Sequence, residues 1–292
     1  MCRLMAYVSE TPGAVDELLG ASEFASFREL SRLHRDGWGM AWLADPVLPE
    51  VSSRAVHEGP LRATRSVLPA HEDPAFDMAA GQRLGAAGFV HLRWATSGLA
   101  VAESNTHPFL AEGWAFAHQG SIPSPDRLDA FLDPEWLGRR RGTTDSERYF
   151  LYLLQCVERE GDLVAGVRHA VTDILSRCGP ASLNAVLLSS SSLVVVHGRA
   201  GLAPPRDDLL AAVARPEELP PDHLEGYFRL RYRQGDSDVV ITSSGVAGQG
   251  WEEVPDDSIL HIDLGTRAIS LHGFDGSPMP TGASAHLSSQ HV

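Results

Sequence analysis

The sequence predicts an α+β domain in which two β-sheets pack together and helices lie on the outside. Two observations lead to this prediction. Two successive helical segments, at residues 144–158 and 162–177, stand between an earlier and a later block of short apolar strands. The chain of 292 residues can also bury a substantial core, and the sheets and helices of one domain bury their apolar faces by packing in layers.

The first block of strands consists of short apolar runs, at residues 3–8, 40–43, 51–57, 89–95 and 114–118. Between the first two of these runs, apolar residues recur at helical spacing and predict a helix over residues 15–33. The glycines of Asp36-Gly37-Trp38-Gly39 then interrupt this pattern.

The first of the two long helices opens at Thr144 or Asp145, since both are good N-cap residues. The second block of strands follows these helices, at residues 183–188, 193–197, 227–233, 239–242, 259–263 and 268–271. No repeat or convincing linker divides the chain. We therefore predict a single domain over residues 2–274 and a disordered tail, rich in Ser, Ala and His, over residues 275–292.

The composition excludes several classes of function. The formal net charge of −14 argues against nucleic acid or an anionic membrane surface as a partner, because both attract basic surfaces. Three cysteines cannot form a disulfide framework, and no apolar run reaches membrane-spanning length. We therefore expect a cytoplasmic protein. The absence of lysine leaves arginine as the only strong fixed cation for binding a carboxylate.

Cys2 directly follows the initiator methionine and precedes a strand. Removal of Met1 by an aminopeptidase would leave a thiol and a free α-amino group on the same residue. The α-amino group has an unperturbed pKa of roughly 7.7–8.0, close to the operating pH that a general base needs. One residue would then supply both the nucleophile and its base.

Five short motifs follow Cys2 along the chain: Asp36-Gly37-Trp38-Gly39, residues 91–98 (HLRWATSG), Asn105-Thr106-His107-Pro108-Phe109, Phe116-Ala117-His118-Gln119-Gly120 and Thr144-Asp145-Ser146-Glu147. In this order they resemble the class II glutamine amidotransferases of the N-terminal-nucleophile hydrolase superfamily. The likeness is strongest to the stand-alone branch that includes the amidohydrolase of ergothioneine biosynthesis. It covers about residues 2–150, continues more weakly over residues 241–263, and implies a four-layer αββα sandwich.

The resemblance implies hydrolysis of a γ-glutamyl amide, either glutamine or a γ-glutamyl metabolite. Cys2 would attack the γ-carbonyl, the α-amine would pass the proton to the leaving nitrogen, and water would release glutamate from a glutamyl thioester. Two uses of this chemistry stay open. The chain is either a hydrolase acting on a metabolite or a glutaminase subunit that supplies ammonia to a separate synthase. We favour the hydrolase, because we find no room in the chain for a fused acceptor site.

The resemblance also assigns substrate-binding roles. Arg93 corresponds to the family arginine that binds the substrate α-carboxylate, a task that suits a bidentate guanidinium. Asp145 corresponds to the carboxylate that binds the α-ammonium, although an N-cap role would also explain an aspartate there. Thr96 corresponds to a residue that lines the substrate, and Trp94 is interpreted as wall packing.

Gln119-Gly120 is where the sequence departs from the family, which has Asn-Gly at the oxyanion hole. Glutamine carries the same amide donor on one more methylene, and losing an oxyanion donor costs on the order of 10²–10³ in rate. This departure supports an alternative in which the chain is a catalytically silent binding or scaffold protein. A further alternative is an N-terminal-nucleophile amidase acting on acylated amines, which would not need the contact between Arg93 and a carboxylate.

His91, His107 and His118 lie within the same motifs, but their spacing fits no short metal-ligand pattern. We therefore expect neither a metal nor a cofactor. The expected partner is a small-molecule γ-glutamyl substrate, with an ammonia-accepting synthase under the second use. A homo-oligomer is compatible with the sequence.

Overall fold

The structure is a computed structural model that describes residues 2–48, 55–95, 98–199, 201–220, 222–246 and 248–281. Within these residues the α-helices are α1 (Val15–Leu19), α2 (Ala21–Glu29), α3 (Pro74–Ala80), α4 (Asp126–Asp129), α5 (Pro134–Leu137), α6 (Asp145–Glu160), α7 (Leu163–Cys178) and α8 (Arg206–Ala211). Short 3-10 helices cover Leu30–Arg32, Glu103–Asn105 and Pro216–Glu218. None of the helices described is long and apolar enough to cross a membrane.

The strands described in the structure are β1 (Arg3–Gly13), β2 (Trp38–Leu43), β3 (Val56–Glu58), β4 (Leu61–Ser66), β5 (Gly85–Leu92), β6 (Phe109–Ala111), β7 (Trp114–Ser121), β8 (Ser182–Leu188), β9 (Ser192–His197), β10 (Leu230–Gln234), β11 (Asp238–Ser243), β12 (Glu252–Glu253), β13 (Ser258–Asp263), β14 (Ile269–Gly273) and β15 (Pro278–Met279). They form two sheets. The first, sheet A, has the order β12-β10-β11-β1-β5-β2-β4-β3, and the second, sheet B, has the order β15-β14-β13-β9-β8-β7-β6.

The first strand of the chain lies inside sheet A, where β1 is antiparallel to β11 on one side and to β5 on the other. Its side chains alternate between two environments, as the two-residue period of a strand requires. Leu4, Ala6 and Val8 pack into the core between the two sheets. Met5 and Tyr7 instead pack against the helices on the outer face. Both faces of β1 are therefore buried.

The two long helices cover the outer face of sheet B. Leu153 of α6 and Val167 of α7 pack against Leu183, Leu187 and Val194 of that sheet. The outer face of sheet A is covered by the first helices of the chain, α1 to α3. The order of layers is thus helix, sheet, sheet, helix, which confirms the predicted αββα sandwich.

The predicted helix over residues 15–33 is divided in the structure. Gly20 has a φ of +94° and separates α1 from α2, a conformation that glycine adopts without steric cost. A 3-10 turn at Leu30–Arg32 then completes the segment. The apolar spacing was correct, but a glycine of positive φ broke the continuous helix that this spacing predicted.

Two predicted boundaries differ from the structure. The tail was predicted to begin at residue 275, whereas Pro278–Met279 forms strand β15 and pairs with β14; residues 282–292 lie outside the described residues. The predicted strand at 51–57 falls partly outside them as well, and the described strand begins at Val56. A single domain remains our proposal, supported by strands from both ends of the chain within sheet A.

Three buried histidines lie close together. The rings of His91 and His107 are 4.2 Å apart, and the His91 Nε2 atom lies 3.3 Å from the carbonyl oxygen of His118. Burial lowers the pKa of His91 to about 3, because the charged imidazolium loses its hydration. Burial also lowers the pKa values of His107 and His118. All three rings are therefore neutral near pH 7.

We expect replacement of His91 by Gln to weaken the dependence of stability on pH. The folded-state pKa of about 3 lies below the unfolded value, so the unfolded chain binds the extra proton as the pH falls below about 6.5. Wild-type stability should therefore decrease from pH 6.5 downwards. In His91→Gln the slope should be shallower by up to about 1.4 kcal/mol per pH unit.

The free energy of unfolding in urea, measured between pH 7.5 and pH 4.5, checks this expectation. His57→Gln, at an exposed histidine of β3, is the control and should retain the wild-type slope. Equal slopes in the wild type and His91→Gln would contradict the assignment.

Candidate active site

The pairing of strands brings Cys2 and Arg93 to the same place. Arg3 pairs with Leu92 in the antiparallel register of β1 and β5, so the preceding residue of one strand faces the following residue of the other. Cys2 is 7% exposed, and its Sγ atom lies 3.7 Å from the carbonyl oxygen of Trp94. The thiol is thus placed against the segment that carries Arg93.

Arg93 is a buried cation. Its Nη1 atom donates to the carbonyl oxygen of Asp36 at 3.3 Å, and its Nη2 atom donates to that of Ala100 at 3.2 Å. Burial lowers the pKa of Arg93, while a Cys2 thiolate and the Asp36 carboxylate raise it. Among the described residues, no carboxylate forms a salt bridge with this guanidinium. Its charge is therefore available to an anionic group at Cys2 or on a ligand.

The Asp36-Gly37 turn holds the segment of Arg93 in position. The backbone N–H of Arg93 donates to the Gly37 carbonyl at 2.8 Å, and the N–H of Asp36 donates to the Arg93 carbonyl at 2.9 Å. The Asp36 carboxylate accepts from the N–H of Ala95 at 2.7 Å. These contacts support the interpretation that this motif shapes the floor of the site and does not supply an acid.

Gln119 and Gly120 lie near the end of β7. Gln119 is fully buried, and its Nε2 atom donates to the carbonyl oxygen of Tyr227 at 3.2 Å. Its Oε1 atom is buried and has no hydrogen-bond partner among the described residues. A Cβ at position 120 would clash with the carbonyl oxygen of Ser182 on β8. Glycine is therefore required where these two strands approach.

The Tyr227 carbonyl connects Gln119, the residue predicted for the oxyanion hole, to Cys2. Besides Gln119, it accepts from Arg3 Nη1 at 3.4 Å and from Ser244 Oγ at 3.0 Å. The same Arg3 Nη1 atom donates to the Cys2 carbonyl at 2.9 Å. Arg3 and Tyr227 were not predicted as site residues, and Ser244 lies in the segment of weaker resemblance, residues 241–263, without a predicted role. For Arg3, the available signal was a charged residue at the head of an apolar run.

Asp145 is the first residue of α6, and the N-cap is Thr144, whose hydroxyl accepts from the Glu147 N–H. The Asp145 Oδ2 atom accepts from the N–H of Ile122 at 2.8 Å. Asp145 therefore anchors the segment that follows Gln119 and Gly120. Within the described part of the chain, no hydrogen bond or salt bridge joins Asp145 to Cys2 or Arg93.

Two predicted site residues remain, Trp94 and Thr96. Trp94 is partly buried; besides the Cys2 thiol at its carbonyl, its ring packs edge-on against His34 with 5.6 Å between centroids. Thr96 lies outside the described residues. Within the described residues, no group of three or more His, Cys, Asp or Glu side chains is placed to hold a metal ion.

Known proteins with similar structures share this fold. A class II glutamine aminotransferase-domain protein from Silicibacter pomeroyi superimposes with a TM-score of 0.59 and 20% identity, over 94% of this chain and 99% of the other. Glutamine phosphoribosylpyrophosphate amidotransferase from B. subtilis has a TM-score of 0.56 and 14% identity, over 94% of this chain and 49% of the enzyme. Identities this low establish the fold alone.

Sequence comparison adds the family. A probable glutamine amidotransferase of Saccharomyces cerevisiae, DUG3, is 27% identical over an alignment of 175 residues, and the match covers 55% of this chain and 47% of the yeast protein. The chain thus spans about half the length of this curated relative. The family model of the class II glutamine amidotransferases matches residues 1–217. Because that match covers well over half of the sequence, the chain belongs to the class II glutamine amidotransferases.

Proposed function

We propose that this chain hydrolyses the amide bond of a γ-glutamyl substrate with the thiol of Cys2, after removal of Met1. The observation that carries the proposal is the meeting of Cys2 and Arg93 at the adjoining ends of β1 and β5. The family is one whose members act on the amide of glutamine, and this pairing combines a nucleophile with a cation suited to the α-carboxylate of such a substrate.

In the proposed reaction, the Cys2 sulfur attacks the γ-carbonyl carbon, and the thiol proton moves to the α-amino group of the same residue. The C–N bond then breaks as that proton passes to the leaving nitrogen, which departs as ammonia or an amine. The glutamyl group remains on sulfur as a thioester. Water attacks the thioester, glutamate leaves, and the thiol is restored.

Arg93 is proposed to bind the substrate α-carboxylate. A guanidinium has five N–H donors, and the described contacts use one donor each from Nη1 and Nη2, both with carbonyl oxygens. The free donors and the absence of a salt bridge to this guanidinium among the described residues favour a carboxylate ligand, which a guanidinium binds in a bidentate manner. Asp145 is proposed to bind the α-ammonium, Trp94 to form a wall of the site, and Thr96 to take the substrate-lining role that the resemblance implies.

Gln119 and Gly120 are proposed to stabilise the oxyanion. The Gln119 amide has two N–H donors, and the described contact with the Tyr227 carbonyl occupies one of them. The second donor is available to the developing negative charge. The contact with the Tyr227 carbonyl also orients the Gln119 amide before a substrate binds. This supports the role, because electrostatic stabilisation depends on donors that are already oriented.

Incubation of the purified protein with glutamine and a panel of γ-glutamyl amides, with glutamate release as the measurement, tests this function. We expect release from at least one amide and none from Cys2→Ala, because the variant has no nucleophile. Intact mass reports whether Met1 is absent. A mass increase that traps a glutamyl group on the wild type, but not on Cys2→Ala, would identify the thioester.

The other uses of the fold predict different results. A glutaminase subunit for a separate synthase would release glutamate from glutamine and show little activity on larger γ-glutamyl amides. A silent scaffold protein would retain Met1, or leave Cys2 unmodified by a glutamine-like electrophile. Retention of Met1 or an unmodified Cys2, together with the absence of glutamate release, would overturn the proposal.

We expect Arg93→Ala to lower kcat/KM for the active γ-glutamyl amide by roughly 10²-fold, because a charge-assisted contact contributes about 1.5–3 kcal/mol. The same variant should act normally on a matched amide that lacks the α-carboxylate, if the wild type accepts one. Steady-state kinetics on both substrates are the measurement. Arg177→Ala, at a half-exposed arginine of α7 that pairs with Asp173, is the control.

An Arg93→Ala variant with unchanged kcat/KM on the γ-glutamyl amide would contradict the assigned role. That result would favour the amidase that acts on acylated amines.

A further inference from the structure

We propose that Arg3 is a positioning residue, whose guanidinium holds the main chain of Cys2 and the carbonyl of Tyr227 together and thereby orients the Gln119 amide. This inference rests on the proposed function, since it assigns Gln119 and Cys2 to one reaction. Arg3 itself does not touch the substrate. It acts on Cys2 directly and on Gln119 through the Tyr227 carbonyl, and these two residues do.

The N–H groups of the Arg3 guanidinium contact two sets of partners, two carbonyl oxygens and the ring of His223. Nη1 donates to the carbonyl oxygens of Cys2 at 2.9 Å and Tyr227 at 3.4 Å. Nε and Nη2 lie 3.3 Å and 3.0 Å from Nε2 of His223. The guanidinium carbon also lies 3.9 Å from the centre of the Tyr227 ring. The side chain is fully buried, so these partners determine its position.

A buried arginine without a carboxylate partner is unusual, because removing its charge from water is costly unless a partner compensates. No carboxylate forms a salt bridge with Arg3 among the described residues. Burial accordingly lowers the pKa of Arg3, while the Tyr227 hydroxyl and Cys2 thiol, in their ionised forms, raise it. The guanidinium is therefore held by carbonyl dipoles, an imidazole and an aromatic ring, all of them close to the nucleophile.

The contact with Tyr227 extends the effect of Arg3 to Gln119. The Tyr227 carbonyl accepts from Arg3, from Gln119 and from Ser244, three donors on an oxygen with two lone pairs. A displacement of any one donor therefore alters the others. The Gln119 substitution and the Arg3 contact together form one hydrogen-bonded unit.

The end of β11 lies beside the start of β1 and contacts its main chain. Met5 pairs with Thr242 in the antiparallel register, so Leu4 lies opposite Ser243 and Arg3 lies opposite Ser244. The Leu4 N–H donates to Ser243 Oγ at 3.0 Å. Cys2 itself precedes β1, and its carbonyl is held by Arg3. Loss of that contact would release the nucleophile, and misplacement by about 1 Å can cost on the order of 10² in rate.

Arg3→Lys tests the positioning role separately from the charge. Lysine keeps the positive charge but lacks the planar fork that donates to the two carbonyls and contacts His223 at the same time. We expect kcat to fall about 10²-fold while KM stays within about threefold. Arg3→Met, which removes the charge as well, should lower kcat to a similar extent, because the hydrogen bonds of the guanidinium and not its charge hold Cys2 and the Tyr227 carbonyl.

Arg233→Lys is the matched control. Arg233 also donates to two main-chain carbonyls, those of Leu18 and Leu19, and stacks on an aromatic ring, that of Trp251. It pairs with Val240, which faces Tyr7, so it lies several residues along the sheet from Cys2. This variant should keep wild-type kcat. Intact mass and urea unfolding check that Met1 processing and folding are equal in all variants.

A double-mutant cycle tests the link to Gln119. Because both residues act through the Tyr227 carbonyl, the fall in kcat in Arg3→Lys/Gln119→Ala should be clearly smaller than the product of the two single effects. Multiplicative effects would overturn the inference. So would an Arg3→Lys protein whose kcat stays within about threefold of the wild type, since misplacement of the nucleophile predicts a far larger loss.

A readout that needs no activity keeps this inference separate from the proposed function. The side-chain amide resonance of Gln119, assigned by its loss in Gln119→Ala, should shift in Arg3→Lys and stay in place in Arg233→Lys. If the wild type hydrolyses no γ-glutamyl amide, the proposed function fails, and the Gln119 resonance alone shows whether Arg3 positions the Gln119 amide. An unchanged Gln119 resonance in Arg3→Lys would then reject the role of Arg3.

Discussion

The pairing of β1 with β5 and β11 is the constraint on which the site depends. The pairing of Arg3 with Leu92 brings Cys2 opposite Arg93. The pairing with β11 brings the serines that follow Thr242 beside the start of β1. A shift by one residue would turn every side chain of β1 to the opposite face. Leu4 and Met5, now buried in separate cores, would then lie on the wrong sides. The two cores thus hold the register, and the register holds Cys2 against Arg93.

Much of this arrangement was predictable because it rests on short-range patterns. Apolar runs predicted most of the strands, and the helical segment predicted at residues 144–158 corresponds to α6, which covers sheet B. The continuous helix over residues 15–33 was wrong at Gly20, because periodicity does not report whether a glycine takes a positive φ. The predicted N-cap at Thr144 or Asp145 resolved to Thr144. Asp145 is therefore not the cap but holds the Ile122 backbone.

The candidate site was predicted unevenly, for a physical reason. Cys2, Arg93 and Gln119 stand in motifs whose resemblance to a family identified them. Tyr227 contributes a carbonyl oxygen to the site, and every residue type has that oxygen. No residue pattern can therefore reveal it. Arg3 also escaped notice because its partners are carbonyls and an imidazole, whereas sequence reasoning looks for an acidic partner to explain a buried cation.

The central position of β1 also orders events during synthesis. Met5 pairs with Thr242, so the ribosome must add most of the chain before β1 gains its neighbour on that side. Pairings between distant segments form slowly, because closing a long loop costs entropy before any contact compensates for it. The amino-terminal strand thus lacks its β11 neighbour for most of translation. Cys2 is 7% exposed once folded, so the proposed removal of Met1 would act on the nascent chain.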